Sequence, residues 1–214
     1  MDIDALCRMA IDDVDMCALD FETTQVQGIT GALAITEIAA QRFRGAQPTA
    51  PQFHALVDPK CPIRPFDTGV SGITDVMVSG KPTFAAIREG FFSYIREHIL
   101  VAHNAASDRR ALESQCARDG CEVPTIIMLD TAALARKLLP LPSYNLDSVC
   151  RHFGVKQGQA HRASGDCQAV KGVFAAASQA LRTTHGIKTF GQLCQFLGLK
   201  LGSSPVQGSL FDAI

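Results

Sequence analysis

The sequence has almost no net charge, because 20 basic and 21 acidic side chains leave a formal charge of −1. A strongly basic protein attracts polyanions through its overall electrostatic field, and no such field is expected here. A polyanionic partner must therefore be held locally, by bound cations and nearby arginines. The charge balance itself excludes no class of partner.

The sequence also lacks long hydrophobic runs and paired cysteines. No stretch approaches the roughly 18 apolar residues of a membrane span, and the acidic N-terminus lacks the basic and apolar regions of a signal peptide. The eight cysteines show no CxxC spacing, which argues against a disulfide framework or a zinc site and favours reduced core thiols. We therefore expect a cytoplasmic protein with no membrane partner.

The chain does contain regular apolar patterns, which predict a single α/β domain. Strands are predicted over five segments: 14–21, 32–43, 53–57, 99–102 and 126–130. Helices are predicted over six: 83–98, 107–118, 131–138, 146–153, 164–182 and 189–198. Strands joined by short connections come first, and strands alternating with helices follow. This order predicts a mixed five-stranded sheet with helices on both faces. The Pro- and Gly-rich segment 59–82 is predicted to be an irregular loop.

Three short segments place carboxylates at the edges of apolar runs. Asp20 and Glu22 lie two residues apart at a strand end, so both side chains project from the same face. Two carboxylates this close repel each other unless a proton or a cation lies between them. The three segments are Asp20-Phe21-Glu22-Thr23-Thr24, His103-Asn104-Ala105-Ala106-Ser107-Asp108 and His161-Arg162-Ala163-Ser164-Gly165-Asp166.

These segments predict a metal site built from Asp20, Glu22, Asp108 and Asp166. Oxygen ligands without cysteine favour Mg²⁺ or Mn²⁺ over zinc. Four acids can hold two divalent ions about 3.5–4 Å apart, one activating water and the other stabilising the leaving oxygen of a phosphodiester. His161 precedes Asp166 closely, and histidine is the residue type best suited to exchanging protons in neutral water. It is therefore the candidate base that takes the proton from water.

Other acids and histidines have simpler interpretations. A lone Asp at a strand end is usually a cap or part of a loop ion pair, and we interpret Asp130 in this way. Asp147 is interpreted as an acid in the first turn of a helix. His103 could equally form a hydrogen bond within the core. The histidines outside the three segments are interpreted as surface or packing residues: His54, His98, His152 and His185.

The order of the three segments resembles that of the DEDDh 3′→5′ exonucleases, the family of the bacterial polymerase III proofreading subunit. The resemblance covers roughly residues 14–182 and implies a ribonuclease H-like fold. It further implies release of nucleotides from 3′ ends. These segments do not distinguish DNA from RNA, and DNA, in proofreading or repair, is favoured by the resemblance of the last residues described below. RNA trimming and an accessory binding module with little catalysis remain alternatives. Supporting matches are Glu37-Ile38-Ala39, Gly72-Ile73-Thr74 followed by Pro82-Thr83-Phe84, and Tyr144-Asn145-Leu146.

The resemblance implies roles for the candidate metal ligands and the candidate base. Asp20, Glu22 and Asp166 would bind the first metal ion. The second ion would be bound by Asp20 and Asp108. His161 would act as the general base.

The resemblance also implies contacts with the substrate. Thr23 and Thr24 would meet the terminal nucleotide. Ser71 stands where relatives often have His, and Ser107 stands where an aromatic residue often precedes the acid of the second segment. Both positions line the nucleotide pocket in relatives, so we expect altered or weaker binding of the terminal base. Every metal ligand and the base are present, so we expect metal-dependent catalysis to be retained.

The last residues carry a separate resemblance. Gln207, Leu210 and Phe211 resemble the short peptide by which bacterial replication and repair proteins dock on the sliding clamp. The sliding clamp and a DNA polymerase are therefore the expected protein partners. Leu210 and Phe211 form an apolar pair in a polar segment, so they are expected to bury either in a partner or on their own domain. The predicted organisation is an exonuclease domain at 1–182, an extension with a short helix at 183–201, and a flexible clamp-binding tail at 202–214.

Overall fold

The computed structural model describes residues 2–158 and 161–199. Within these residues, six strands form one sheet: β1 (Met16–Gln25), β2 (Leu33–Arg44), β3 (Gln47–Pro48), β4 (Phe53–Leu56), β5 (Ile99–Ala102) and β6 (Met128–Asp130). The α-helices of the described residues are α1 (Ile3–Arg8), α2 (Pro65–Ser71), α3 (Asp75–Val78), α4 (Phe84–Ile95), α5 (Ala105–Asp119), α6 (Thr131–Leu138), α7 (Leu146–Phe153), α8 (Ala163–His185) and α9 (Phe190–Leu197). None of the described helices is both long and apolar enough to span a bilayer.

The sheet is mixed, with strand order β3-β2-β1-β5-β6 and with β4 also paired to β2. β1 and β2 are antiparallel, whereas β1 pairs with β5, and β5 with β6, in parallel. The predicted fold class is confirmed, but the predicted count of five strands is wrong. The additional strand is β3, whose two residues are too few to produce an alternating pattern in the sequence.

The two faces of the sheet are covered by different helices. On β1, Met16 and Ala18 belong to a core cluster that includes residues of α8 and α9. The intervening Cys17 and Leu19 belong to a second cluster that includes residues of α4 and α5. This alternation follows from the two-residue period of a strand. It places the even-numbered residues of β1, up to the candidate site, on the side of α8.

Segment 59–82 was predicted to be an irregular loop, and this prediction is wrong because the segment contains α2 and α3. Pro65 occupies the start of α2, where the missing N–H of proline has no intrahelical partner to lose. Gly72 ends the same helix with a left-handed φ of 71°. Proline and glycine therefore act here as helix boundaries. α2 lies between them, and α3 follows Gly72.

The ends of the described chain pack together. α1 was not predicted; its first turn is capped by Asp2, whose side chain accepts hydrogen bonds from the N–H groups of Asp4 and Ala5. The predicted helix at 189–198 is present as α9 and begins with a capping box between Thr189 and Gln192. α8 continues across position 182, and the domain boundaries stay a prediction. The candidate clamp-binding residues lie outside the described residues: Gln207, Leu210 and Phe211.

Candidate active site

The site begins where β1 extends beyond its parallel neighbour. β5 pairs only with Met16–Ala18, whereas β2 follows β1 along its full length. Asp20 and Glu22 lie in this extension and have the parity of Ala18, so they face α8. Glu22 is directly opposite Glu37 of β2. The prediction that both acids share a face is confirmed.

The first turn of α8 brings a third carboxylate to this face. Carboxylate oxygens of Asp20, Glu22 and Asp166 all lie within 4.8 Å of one another. Asp166 is buried, and its two oxygens accept hydrogen bonds from the side chain of Gln157 at 2.7 Å and from the backbone N–H of His161 at 3.0 Å. Three acids from two distant segments therefore form one cluster.

The fourth predicted acid approaches from α5, on the opposite side of the sheet. Asp108 is buried, and its Oδ1 accepts a hydrogen bond from the N–H of Phe21 at 3.2 Å. This N–H lies beyond the last residue of β1 that pairs with β5, so Asp108 replaces a strand partner there. Asp108 is outside the group of three carboxylates but lies beside Asp20, the residue before Phe21.

Crowding and burial shift the pKa values of Asp20, Glu22 and Asp108. Burial, followed by the charges of Asp108, Glu22 and Asp166, raises the pKa of Asp20 well above its usual value. Burial and the charges of Asp166 and Glu37 raise the pKa of Glu22 to about 7. Burial likewise raises the pKa of Asp108 to about 8. A cation would relieve this repulsion, and an all-oxygen donor set suits Mg²⁺ or Mn²⁺.

The candidate base lies at the edge of this cluster. His161 is exposed and has a left-handed φ of 58°, an uncommon conformation for a residue other than glycine. Its backbone N–H is fixed by Asp166, as described above. The structure therefore brings the backbone of His161 to the acids and leaves its side chain accessible.

The four predicted substrate residues fall into two groups. The hydroxyl of Thr24 donates to Asp67 at 2.7 Å, and the hydroxyl of Ser71 donates to the carbonyl of the same Asp67 at 3.0 Å. Both side chains are buried and attach or stabilise α2. Thr23 is half-buried on β1, and Ser107 is exposed in the first turn of α5. The first pair is engaged within the protein, whereas the second retains access to solvent.

The simpler interpretations of the remaining acids and of His103 agree with the structure. Asp130 caps α6 by accepting a hydrogen bond from the N–H of Ala132 at 2.8 Å. Asp147 lies in the first turn of α7 and pairs with Arg151. The ring of His103 is hydrogen-bonded on both sides, to the hydroxyl of Thr131 and the carbonyl of Tyr144, each at 2.8 Å. Burial lowers the pKa of His103, which favours its neutral form.

A buried ion pair beside the cluster was not predicted. The carboxylate of Glu37 is fully buried and accepts two hydrogen bonds from the guanidinium of Arg162, at 2.7 and 3.0 Å. It also contacts Nε2 of His54 at 2.7 Å, so the interpretation of His54 as a surface or packing residue is incomplete. Burial raises the pKa of Glu37, but hydrogen bonds from Arg162 and His54 have the larger combined effect. The pKa of Glu37 is therefore below its usual value. A carboxylate within an apolar strand requires such partners. The position of Glu37 among apolar residues of β2 could therefore have predicted a buried ion pair.

The sheet, its covering helices and the carboxylate cluster define a ribonuclease H-like nuclease. Residues 17–174 match the RNase_T exonuclease family. The chain belongs to this exonuclease family.

Comparison with individual proteins agrees with this assignment. A PolC-type DNA polymerase III of Thermotoga maritima is 34% identical over 165 residues, which cover 76% of this chain and 12% of the polymerase. The structure of Exonuclease X in complex with 5′ overhanging duplex DNA is 26% identical, with a TM-score of 0.64 over 86% of this chain and 99% of that one. The nuclease domain of 3′hExo, a DEDDh family member bound to rAMP, shares the fold at 16% identity, with a TM-score of 0.69 over 80% of this chain and 94% of that domain. The chain spans 30% or less of the length of the curated relatives compared.

Proposed function

We propose that this chain is a metal-dependent 3′→5′ exonuclease that removes nucleotides from DNA 3′ ends in proofreading or repair. The observation that carries the proposal is the cluster of Asp20, Glu22 and Asp166 within 4.8 Å, with Asp108 beside it. The choice of DNA is supported by two relatives. One is named a DNA polymerase, and the other is Exonuclease X, whose structure contains duplex DNA.

The carboxylates have the composition required to hold divalent ions. Asp20, Glu22 and Asp166 would hold one Mg²⁺ or Mn²⁺ ion, and Asp20 with Asp108 would hold a second. Bound ions supply Lewis-acid chemistry, since they make water more acidic and offset charge on phosphate oxygens. The protein contributes a fixed set of negative oxygens on two helices and a strand. The raised pKa values of Asp20, Glu22 and Asp108 are the expected mark of a site that functions with cations present.

The protein's own proton acceptor in this proposal is His161. Its exposed ring can accept the proton of the attacking water, while its backbone stays fixed to Asp166 at 3.0 Å. Thr23 and Ser107 would contact the terminal nucleotide directly, because they retain solvent access. Thr24 and Ser71, whose hydroxyls are already engaged, would shape the pocket by placing α2.

The decisive experiment measures nucleotide release from single-stranded DNA and RNA with Mg²⁺ or Mn²⁺. Substrates labelled at the 3′ end give labelled mononucleotide first if degradation starts there, and 5′-labelled substrates give a ladder of shortened strands. We expect metal-dependent release from DNA by wild type and none by Asp20→Ala. Asp15→Asn is the matched control, because Asp15 precedes β1 and pairs with Arg44 at the surface.

Each other outcome of this assay has a defined meaning. Preferential release from RNA would replace the DNA assignment with an exoribonuclease. Absence of release from both substrates would overturn the enzyme proposal and favour a binding module. A contact with the sliding clamp through Gln207, Leu210 and Phe211 stays a prediction based on the sequence, as does association with a DNA polymerase.

A further inference from the structure

The loop that carries the proposed base is fixed at three consecutive residues. The N–H of His161 donates to Asp166, the guanidinium of Arg162 donates twice to Glu37, and the N–H of Ala163 donates to Oε2 of Glu37 at 3.0 Å. Two of these three attachments end on the same carboxylate. Glu37 is therefore the principal anchor of the turn that leads into α8.

The anchor itself is rigidly placed. Glu37 lies on β2, between β1 and β4, and both neighbouring strands pair with it at this point. Its side chain is 0% exposed, whereas that of Arg162 is 22% exposed. The carboxylate accepts a two-pronged hydrogen bond from the guanidinium, the arrangement that most restricts the orientation of both groups. The sheet therefore determines where the backbone at residue 162 lies.

The conformation of His161 shows why such an anchor matters. A left-handed φ of 58° is unfavourable for a residue with a side chain, and it persists only where the surroundings impose it. The hydrogen bond to Asp166 fixes the residue itself, and the bonds from Arg162 and Ala163 fix the chain directly after it. Released from Glu37, this backbone would relax toward more common dihedral angles and move the imidazole.

A purely stabilising role explains the pair less well. Buried ion pairs are often no more stabilising than well-packed apolar residues, because removing two charges from water is costly. Glu37 also lies opposite Glu22, and the nearby negative charge contributes to the raised pKa of that acid. A second buried carboxylate beside a carboxylate cluster is thus an electrostatic disadvantage. A requirement for position accounts for its presence.

We propose that Glu37, acting through the ion pair with Arg162, is a positioning residue that sets His161 for proton abstraction. This inference rests on the proposed function, because it requires His161 to be the base. His54 completes the arrangement by contacting the same carboxylate from β4 at 2.7 Å. Glu37 touches no reacting atom. Its effect passes through the backbone of residues 161–163.

The test is a double-mutant cycle with the nuclease assay as its readout. Glu37→Gln keeps the size of the side chain and removes its charge. We expect it to lower kcat about tenfold or more while KM changes little, and to have less than about a twofold effect in the His161→Ala background. Equal losses in both backgrounds would overturn the proposal, since Glu37 would then act through Glu22 or through general stability.

A readout independent of activity separates this inference from the proposed function. Hydrogen exchange at the amides of residues 161–163 should accelerate in Glu37→Gln. It should stay unchanged in Arg44→Gln, which breaks an exposed ion pair on the same strand. Unchanged exchange in Glu37→Gln would overturn the anchoring. If exchange is accelerated in Glu37→Gln but the wild-type chain has no nuclease activity, the anchoring holds, whereas the proposed function and the positioning of a catalytic base are refuted.

A conservative variant provides a second route if Glu37→Gln does not fold. Arg162→Lys keeps the positive charge for Glu37 but loses the two-pronged geometry. We expect the same pattern at smaller amplitude: a reduced kcat, a nearly unchanged KM and faster exchange at 161–163. Wild-type kcat and exchange in a folded Arg162→Lys variant would show that the geometry of the pair has no positioning effect.

Discussion

The two halves of the candidate site are supported very differently. Asp20 and Glu22 stand on a strand that is hydrogen-bonded along its length to β2 and lies between two packed layers of helices. His161 stands on an exposed turn with a left-handed backbone. The acids occupy positions that the sheet dictates. The histidine occupies a position that a few polar contacts dictate.

This difference indicates that cation binding and proton abstraction depend on separate parts of the site. Carboxylates that converge from rigid elements are preorganised for cations and need no movement to receive them. A base on a turn can be misplaced by a small backbone change without disturbing the acids. Asp166 joins the two halves, because it belongs to the cluster and accepts the N–H of His161. Substitutions can therefore affect one half, the other, or both.

The largest effect is expected from Asp166→Asn, which acts on both halves. It removes one charge from the cluster and weakens the attachment of His161. We expect kcat to fall by more than the roughly 10⁴-fold upper range for loss of a general base alone, together with weaker Mn²⁺ binding measured by calorimetry. Asp147→Asn, an exposed first-turn acid on α7, is the control and should retain both properties. A wild-type Mn²⁺ affinity in Asp166→Asn would contradict the claim that Asp166 contributes both to the metal site and to the attachment of His161.

His161→Ala should affect only the half of the site that contains the histidine, and should leave the acids unchanged. We expect turnover to fall by about 10²–10⁴-fold, the usual contribution of a positioned acid or base. Mn²⁺ binding should remain at the wild-type level, because Asp20, Glu22 and Asp166 are unchanged. Parallel measurement of kcat and of Mn²⁺ affinity tests whether proton abstraction and metal binding depend on different residues. Full retained turnover would remove His161 from the role of base.

The smallest effect concerns stability and depends on pH. The pKa of Glu22 is raised from 4.5 to about 7, and that of Asp108 from 3.8 to about 8. Stability from such raised pKa values is fully present below the usual values of these acids and is lost as pH rises through 7 to 8. We therefore expect Mn²⁺ to raise the Tm by a few degrees more at about pH 8 than at about pH 5, with 1 kcal/mol worth about 2–4 °C at this size.

Glu22→Gln gives the matched comparison for this experiment. Without an acid at position 22, the metal-free Tm should fall less between the two pH values, and Mn²⁺ should restore less of it. Thermal unfolding followed by circular dichroism measures all four conditions. An equal Mn²⁺ shift at both pH values in wild type would contradict the proposed origin of the raised pKa values.

The sequence predicted the fold wherever burial produces a clear pattern. β1, β2 and β5 follow from apolar runs, and α4 and α8 follow from helical spacing. The failures are short or locally atypical elements. β3 has two residues, and α2 begins and ends with residues that also break helices, Pro65 and Gly72. In such cases packing against the rest of the chain decides between turn and helix, and a local pattern does not contain that information.

For the site, the sequence predicted that the acids lie close together. It did not predict the contacts that hold the turn at residues 161–163. Asp20, Glu22 and Asp166 could be grouped because each lies at the edge of an apolar run. The pair of Glu37 and Arg162 joins positions 125 residues apart, and no local spacing connects them. Only the register of β2 against β1 and the docking of α8 place these two side chains together. Contacts of this kind follow from tertiary structure alone.

The order in which the cluster is assembled along the chain has a consequence for biosynthesis. Asp20 and Glu22 leave the ribosome before Asp166, which comes from the first turn of a helix that runs to His185 and covers one face of the sheet. Domains generally fold as units during synthesis. A nascent chain that stops before α8 thus carries two acids without their third partner. The cluster is completed only once most of the described chain has been made and α8 has docked.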